Sequence, residues 1–341
     1  MSGLRLSVLD QSPIPEGSTG ADALRNSIDL ARLADRLGYH RYWVAEHHGA
    51  SLAGASPEVL IGPIAAATSH LRVGSGGVML PHYSPVKVAE SFSILAGLFP
   101  GRIDLGLGRA SGTDPMTTFA LQRDRRQAAP DDFHDQLVEL LALLGDRMPP
   151  DHPFAHLTAL PGGDERPEAW LLGSSRQSAI WAAELGLPYA FADFINPAGA
   201  AFTAEYRERF APSPEAQAAR TIVAAWVIVA ETEEEAQRLA SSSRMSFSLL
   251  RRGRLIPVPP PEKALRYLAE RGERPDGQPQ GRRGVIGAPA QVRARLEELA
   301  SEYGADEVVA VTITFDHRAR RRSYELLAEA FGLEARPAGP A

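Results

Sequence analysis

"RIDLGLGRASGTD", residues 102–114, joins an apolar strand to a turn that carries Gly106, Gly108 and Gly112. Two fold classes use such a segment, and its reading decides between them. A dinucleotide-binding fold needs a helix that starts within the glycine turn, inside a compact βαβ unit, with an acidic residue for the ribose. Here the glycine spacing is G-x-G-x-x-x-G, Asp114 and Pro115 follow at once, and clear helical periodicity resumes only near residue 131. The strand is also the fourth of the chain. A dinucleotide fingerprint is therefore not expected. What the turn does offer is backbone N–H groups and one guanidinium, Arg109, which suit a monophosphate. A barrel turn with a surface arginine would have the same sequence.

Working outward, strand-like and helix-like segments alternate along the whole chain. "LRLSVLD" (4–10), "RYWVAE" (41–46), "LRVGSGGVML" (71–80) and "RIDLGLG" (102–108) read as strands, and amphipathic or apolar helices over 21–39, 56–69 and 86–99 separate them. Beyond a helix near 131–145 and a polar stretch to Pro167, "EAWLLG" (168–173), "YAFADF" (189–194), "TIVAAWVIVA" (221–230), "GVIG" (284–287) and "DEVVAVTIT" (306–314) continue the pattern. A capping box of Thr232 and Glu235 opens a helix that reaches about 251, and the last helix spans 319–332. The Pro-, Gly- and Arg-rich segment 253–283 reads as a mobile loop that could act as a lid. Apolar strands with helical crossovers imply a parallel sheet covered on both faces. About eight such units in 341 residues predict an α/β fold, a (β/α)8 TIM barrel with insertions, with a doubly wound sheet plus a second domain as the alternative. One domain is expected over 1–333, with a flexible tail over 334–341.

Composition narrows the function. The chain is 44% hydrophobic and 23% charged with net charge −6, and its one basic cluster, "HRARRR" (317–322), falls on a predicted helix, so no nucleic-acid partner is expected. With no cysteine, disulfides, thiolate catalysis and sulfur-ligated metals are excluded, which fits a reducing compartment. The N-terminal segment lacks the pattern of a signal peptide. No apolar run approaches the roughly 20 residues of a membrane helix. A cytoplasmic protein with no membrane partner is expected.

In a (β/α)8 barrel, chemistry belongs to the loops after the strands. "LLGSSRQSA" (171–179) ends a strand at Gly173 and places Ser174 and Ser175 at a helix start, with Ser178 one turn on. Helix N-terminal amides with small hydroxyls bind anions, although plain capping asks for the same residues. "EHH" (46–48) closes the second strand. Neighbouring strand residues face opposite ways, so His47 and His48 should not share one small site, and no metal is expected. One of the two could serve as an acid–base or hydrogen-bonding group at the barrel mouth. In "RVGSGGVMLP" (72–81) the glycines suggest a bulge under a flat ring, or a tight corner with no ligand.

Taken together, these loops resemble the bacterial luciferase-like flavin-dependent monooxygenases over about residues 4–330. The likeness rests on "LGYHRYWVAEHH", "LRVGSGGVMLPHYSP", "LFPGRIDLGLGRASGTD", "WLLGSSRQSAIWAAELGLP" and "VIGAPAQV". It implies a barrel, usually homodimeric, that binds FMN at the strand C-termini. The family's non-prolyl cis peptide behind the flavin ring would match Gly76–Gly77. Its phosphate ligands would match Arg109 with Ser174, Ser175 and Ser178, beside Gly173. Its catalytic histidine would match His47, with Glu46 in support. Departures are visible. Gly108 stands where bacterial luciferase has a reactive cysteine, and Ser174 replaces an acidic residue. Long-chain aldehyde chemistry with light emission is not implied.

The resemblance implies a two-component monooxygenase that takes reduced FMN from a separate flavin reductase and uses O2 to oxygenate a small-molecule substrate. Two alternatives stand beside it: hydride transfer with F420, and a flavin-binding protein without turnover.

Overall fold

The computed structural model describes residues 3–109, 114–127, 131–157, 160–273 and 284–337. The first half of the chain runs β1 (Arg5–Asp10), α1 (Gly20–Leu37), β2 (Arg41–Val44), α2 (Pro57–Ala66), β3 (Arg72–Met79), α3 (Pro85–Leu98), β4 (Ile103–Gly108), α4 (Pro115–Leu121) and α5 (Phe133–Leu144). It continues with β5 (Glu168–Gly173), α6 (Arg176–Glu184), β6 (Tyr189–Ala192), α7 (Ala200–Arg209), β7 (Thr221–Val229), α8 (Glu233–Leu250) and α9 (Pro261–Glu270). The last elements are β8 (Gly284–Gly287), α10 (Pro289–Tyr303), β9 (Glu307–Val311) and α11 (His317–Phe331).

Every strand pairing is parallel, and the pairings close on themselves. β1 to β7 follow in sequence order, β7 pairs with β9, and β9 pairs with β1. That ring of eight strands, wrapped by helices, is a (β/α)8 barrel. β8 stands outside the ring. It pairs with Trp226–Val229, the far end of the long strand β7. The eighth barrel strand is therefore β9, and α8, α9, β8 and α10 form the insertion before it.

Local chemistry explains the elements. All nine residues of β7 are buried, as an apolar strand covered on both faces requires. α1 begins with a capping box in which Thr19 and Asp22 satisfy each other's backbone, and ends at Gly38, whose φ of 89° suits the left-handed cap. Alternate strand residues point into the barrel. Near the strand N-termini that layer is charged. Arg41 bonds Asp104 at 2.9 Å and Glu307 at 2.8 Å, and its guanidinium lies 4.6 Å from the Trp170 ring centroid. Buried charges so paired and hydrogen-bonded are tolerated where lone ones are not. Above them, Leu9, Trp43, Trp170, Ile222, Ala224 and Val309 form an apolar layer, with the two indoles edge to face at 5.7 Å. Gly74 and Gly76 make room for these neighbours. A Cβ at Gly76 would stand 2.5 Å from Leu9 Cδ1, and one at Gly74 2.4 Å from the Asp104 carbonyl oxygen. The barrel is thus filled from below, and its open end lies at the strand C-termini.

Three sequence expectations need correction. Segment 253–283 is not simply a loop: "PEKALRYLAE" forms α9, with Pro261 at its first position and Pro261, Ala264 and Leu268 buried. Ala264 and Leu268 have the i,i+4 spacing of a helix face, a signal hidden by the Pro-rich run before it. Residues 254–258 also pack across the mouth side, where Glu16 N–H donates to Val258 O and Val258 N–H to Ile14 O at 2.8 Å each. The remainder of that segment, 274–283, lies outside the described residues, as does Gly112. Second, a helix begins well before 131. Asp114 caps α4 by accepting from Met116 N and Thr117 N. With seven residues and no buried side chain, α4 carries no periodicity to read. Third, β6 ends at Ala192 and β9 at Val311, short of the extents read from their apolar runs. At the C-terminus, Arg336 N–H donates to Arg36 O at 2.8 Å, and residues 338–341 are outside the described set. No described helix is long and apolar enough to cross a membrane.

Candidate active site

The open end of the barrel holds a cavity of about 460 Å³, within the range of small-molecule sites. Glu46, His47, Gly76, Gly77, Arg109, Gly173, Ser174, Ser175 and Ser178 all line it. Residues from the ends of β2, β3, β4 and β5 thus converge, although more than 130 positions separate the first from the last.

The β2 end supplies the acid–base groups. β2 stops at Val44, and the chain turns so that Glu46 and His47, although adjacent, both reach the cavity. Glu46 is fully buried. Its Oε2 accepts the Met79 N–H at 2.8 Å, and its Oε1 lies 2.9 Å from His48 Nε2. His48 does not line the cavity; its ring stands edge to face with His82, centroids 6.2 Å apart. The expectation that His47 and His48 part company holds, although they lie beyond the strand rather than on it. His47 Nδ1 is buried and has no hydrogen-bond partner within the protein. Burial, with His48 beside it, pushes the His47 pKa down to about 4. At neutral pH this imidazole is uncharged and can accept or donate one hydrogen bond.

β3 supplies the floor. The Gly76–Gly77 peptide is cis, at the point where the pairing register with β4 shifts. A Cβ at Gly77 would lie 2.7 Å from the Gly106 carbonyl oxygen, so the strand sits too close to β4 for any side chain.

The far side is an anion cradle. Ser175 caps α6, and its side chain accepts from Ser178 N. Ser178 Oγ donates to Ser175 O at 2.8 Å and meets Tyr189 OH at 2.9 Å, so that hydroxyl secures the turn from behind. Asn196 Nδ2 holds the Ser174 carbonyl at 2.8 Å. Gly173 is required because a Cβ there would fall 2.0 Å from Ser178 Oγ. The α6 N-terminal amides therefore face the cavity with the positive end of the helix dipole. Arg109 stands exposed opposite them, its guanidinium 5.6 Å from the Trp181 ring centroid. Among the described residues no carboxylate pairs with it.

Between cradle and histidine the walls are apolar: Leu9, Trp43, Met79, Phe133, Leu172, Trp181, Phe194 and Ile195. Sequence reading did not single these out. Trp43 could have been found as the inward residue two before Ala45, and Trp181 as the residue three after Ser178 on one helix face. Gln11, Phe194 and Ile195 lie just past strand ends, in the loops "DQSP" and "FADFINP" where a barrel carries its chemistry, although no spacing marks them individually. A flat aromatic ring with a phosphate tail fits these residues. An unpartnered imidazole nitrogen, a side-chain-free floor, apolar walls and a cationic cradle occur in that order across one cavity.

The pattern described as luciferase-like monooxygenase matches residues 4–307. The uncharacterized Bacillus subtilis (strain 168) protein YwcH is 46% identical over 334 residues, 96% of this chain and 98% of that one. The N-acetyl-S-alkylcysteine monooxygenase of the same organism is 40% identical over 328 residues, covering 96% and 98%. Among solved structures, apo-MsnO8 superposes with TM-score 0.88 at 43% identity, covering 98% of this chain and 99% of that one. More distantly, the fold is shared with the FMN complex of the oxygenating constituent of Pseudomonas putida 3,6-diketocamphane monooxygenase, with TM-score 0.71, 20% identity and coverage of 96% and 97%. It is shared too with an F420-dependent secondary alcohol dehydrogenase, with TM-score 0.68, 16% identity and coverage of 96% and 99%. This chain belongs to the luciferase-like monooxygenase family.

Proposed function

Starting from membership in that family, we propose that the protein is an FMN-dependent monooxygenase that uses O2 to oxygenate a small organic substrate. The observation that carries this reading is the single cavity joining Arg109 and the α6 N-terminus to Gly76, Gly77 and His47. Arg109, Ser174, Ser175 and the α6 amides hold the phosphate, with Ser178 bracing the turn. Gly76 and Gly77 leave space for the ring. The chemistry a bound reduced FMN would supply is the electron pair by which one atom of O2 passes to substrate and the other leaves as water.

The protein's part is placement and shielding. The apolar walls exclude water, which strengthens every polar contact inside. His47, neutral at neutral pH, makes one hydrogen bond to substrate through the nitrogen left without a protein partner, as donor or acceptor according to its tautomer. Glu46 holds β3 against β2 through Met79 N. A separate flavin reductase provides reduced FMN, since the sequence carries no nicotinamide fingerprint. A thioether-like substrate is compatible with the apolar walls and with the name of one relative. We place the protein in the cytoplasm, as one barrel domain over 1–333. We also read it as a homodimer, supported by exposed Val59 on α2 and Ile94 and Leu98 on α3.

The test mixes protein, reduced FMN and O2 in a stopped-flow instrument, with equilibrium binding of FMN, F420 and riboflavin measured alongside. The reading expects FMN to bind in preference to F420 and the course of reduced-FMN oxidation to change. Free-flavin autoxidation left unaltered by the protein overturns it.

A further inference from the structure

This inference rests on the function proposed above and concerns how protons reach that cavity. Forming water from one oxygen atom calls for protons inside a water-excluding site. Of the titratable side chains that line the cavity, His47 is held neutral at neutral pH and Arg109 stays charged. Glu46 remains, and it spans the wall. It lines the cavity with no exposed surface, yet its Oε1 is 2.9 Å from Nε2 of His48, whose side chain is 15% exposed and outside the cavity.

Around that pair lie further groups that no reaction step has used. Glu58 on α2, and His82 and Tyr83 after β3, all feel the charge of Glu46. The His82 ring packs edge to face on His48. Glu58 Oε2 and His82 Nε2 are buried and have no partner within the protein. Buried polar atoms of this kind are satisfied by ordered water. Burial raises the Glu58 pKa and lowers that of His82.

We propose that Glu46, His48, Glu58 and His82 form a proton relay that connects solvent to the cavity through ordered water held by Glu58 Oε2 and His82 Nε2. In one transfer, His48 passes its Nε2 proton to Glu46 Oε1 and regains one at Nδ1 from the water side. Glu46 then releases the proton to the bound reactants. One proton moves inward, and no bond to carbon changes. Glu58 and His82 act through His48 and are positioning residues.

Glu58→Gln and His82→Gln test the relay. Oxidation of reduced FMN in the protein is followed across pH 6–9 in H2O and D2O, with FMN affinity measured in parallel. The relay predicts FMN affinity within about twofold of wild type, a proton-dependent phase slowed tenfold or more, and a displaced pH profile. Unchanged pH profiles and solvent isotope effects overturn it, as does slowing fully explained by lost FMN affinity. Histidine NMR keeps the test independent of the flavin. The His48 and His82 ring resonances should both be perturbed by Glu58→Gln, and rings left unmoved by that substitution overturn the relay. If wild-type protein leaves FMN oxidation unaltered, the flavin reading falls, and the NMR result still decides on the relay.

Discussion

Glu46 Oε2 accepts the backbone N–H of Met79 at 2.8 Å, which ties the second residue past β2 to the strand that carries Gly76 and Gly77. The carboxylate is buried and the bond part-buried, and the same carboxylate also holds His48. Glu46→Ala leaves both donors without their acceptor, at a cost of about 1–3 kcal/mol each when buried. Glu46→Gln retains a carbonyl oxygen for Met79. Urea denaturation should therefore show a large loss for the alanine variant and a loss of about 1 kcal/mol or less for glutamine, with FMN affinity following the same order. Equal losses in the two variants would show that the Met79 bond does not hold the bulge.

The lowered pKa of His47 has a stability consequence with a definite sign. Its folded value of about 4 lies below the unfolded value of about 6.5, so as pH falls the unfolded chain takes up the proton first. The contribution is present above pH 6.5 and is lost as pH falls toward 4, amounting to about 2–3 kcal/mol. Urea midpoints measured over that window should fall more steeply for wild type than for His47→Gln. Parallel slopes would contradict the burial of a neutral imidazole.

Arg109 faces the α6 N-terminus without a carboxylate partner among the described residues. If it binds phosphate, Arg109→Gln removes a charge-assisted bond of about 1.5–3 kcal/mol, or roughly ten- to more than a hundredfold in affinity. The loss should appear for FMN and be absent for riboflavin, which lacks the phosphate. Fluorescence titration with both ligands separates a phosphate contact from a general effect on the cavity, which would weaken both equally.

Gly173 permits α6 to approach β5. A Cβ at this position would stand 2.0 Å from Ser178 Oγ and 2.4 Å from Ser178 Cβ. Gly173→Ala must push the α6 N-terminus away, and overpacking of this kind costs about 1–3 kcal/mol. FMN should bind more weakly in proportion to the displaced amides. Gly173→Ala combined with Ser178→Gly removes the clash and should bind FMN no more weakly than Ser178→Gly alone, which lacks the bracing hydroxyl; a further loss in the double variant would place its cause elsewhere.

The barrel was legible because its evidence is local. β7 is apolar along its length, helices such as α1 carry caps at both ends, and turn residues separate the units. α9 was missed because Ala264 and Leu268 follow a Pro-rich run, and α4 because a short exposed helix buries nothing. The site was legible in part. Arg109, His47 and the serines stand where strand ends meet loops, but the aromatic walls are ordinary apolar residues in sequence, and only their shared cavity marks them.

By itself, the sequence determined the alternation of strand and helix, and hence a parallel sheet of βα units. It also determined which loops follow strands and so carry polar groups. Alternation and capping act over a few residues, and a linear reading reaches that far. Only the tertiary structure decided that β9 and not β8 closes the ring. It alone decided that Glu46 and His47 share one cavity, and that Glu58 and His82 keep buried atoms without partners. Those outcomes depend on burial and on distances between segments far apart in the chain. Both arise only when the barrel closes and removes water from its interior.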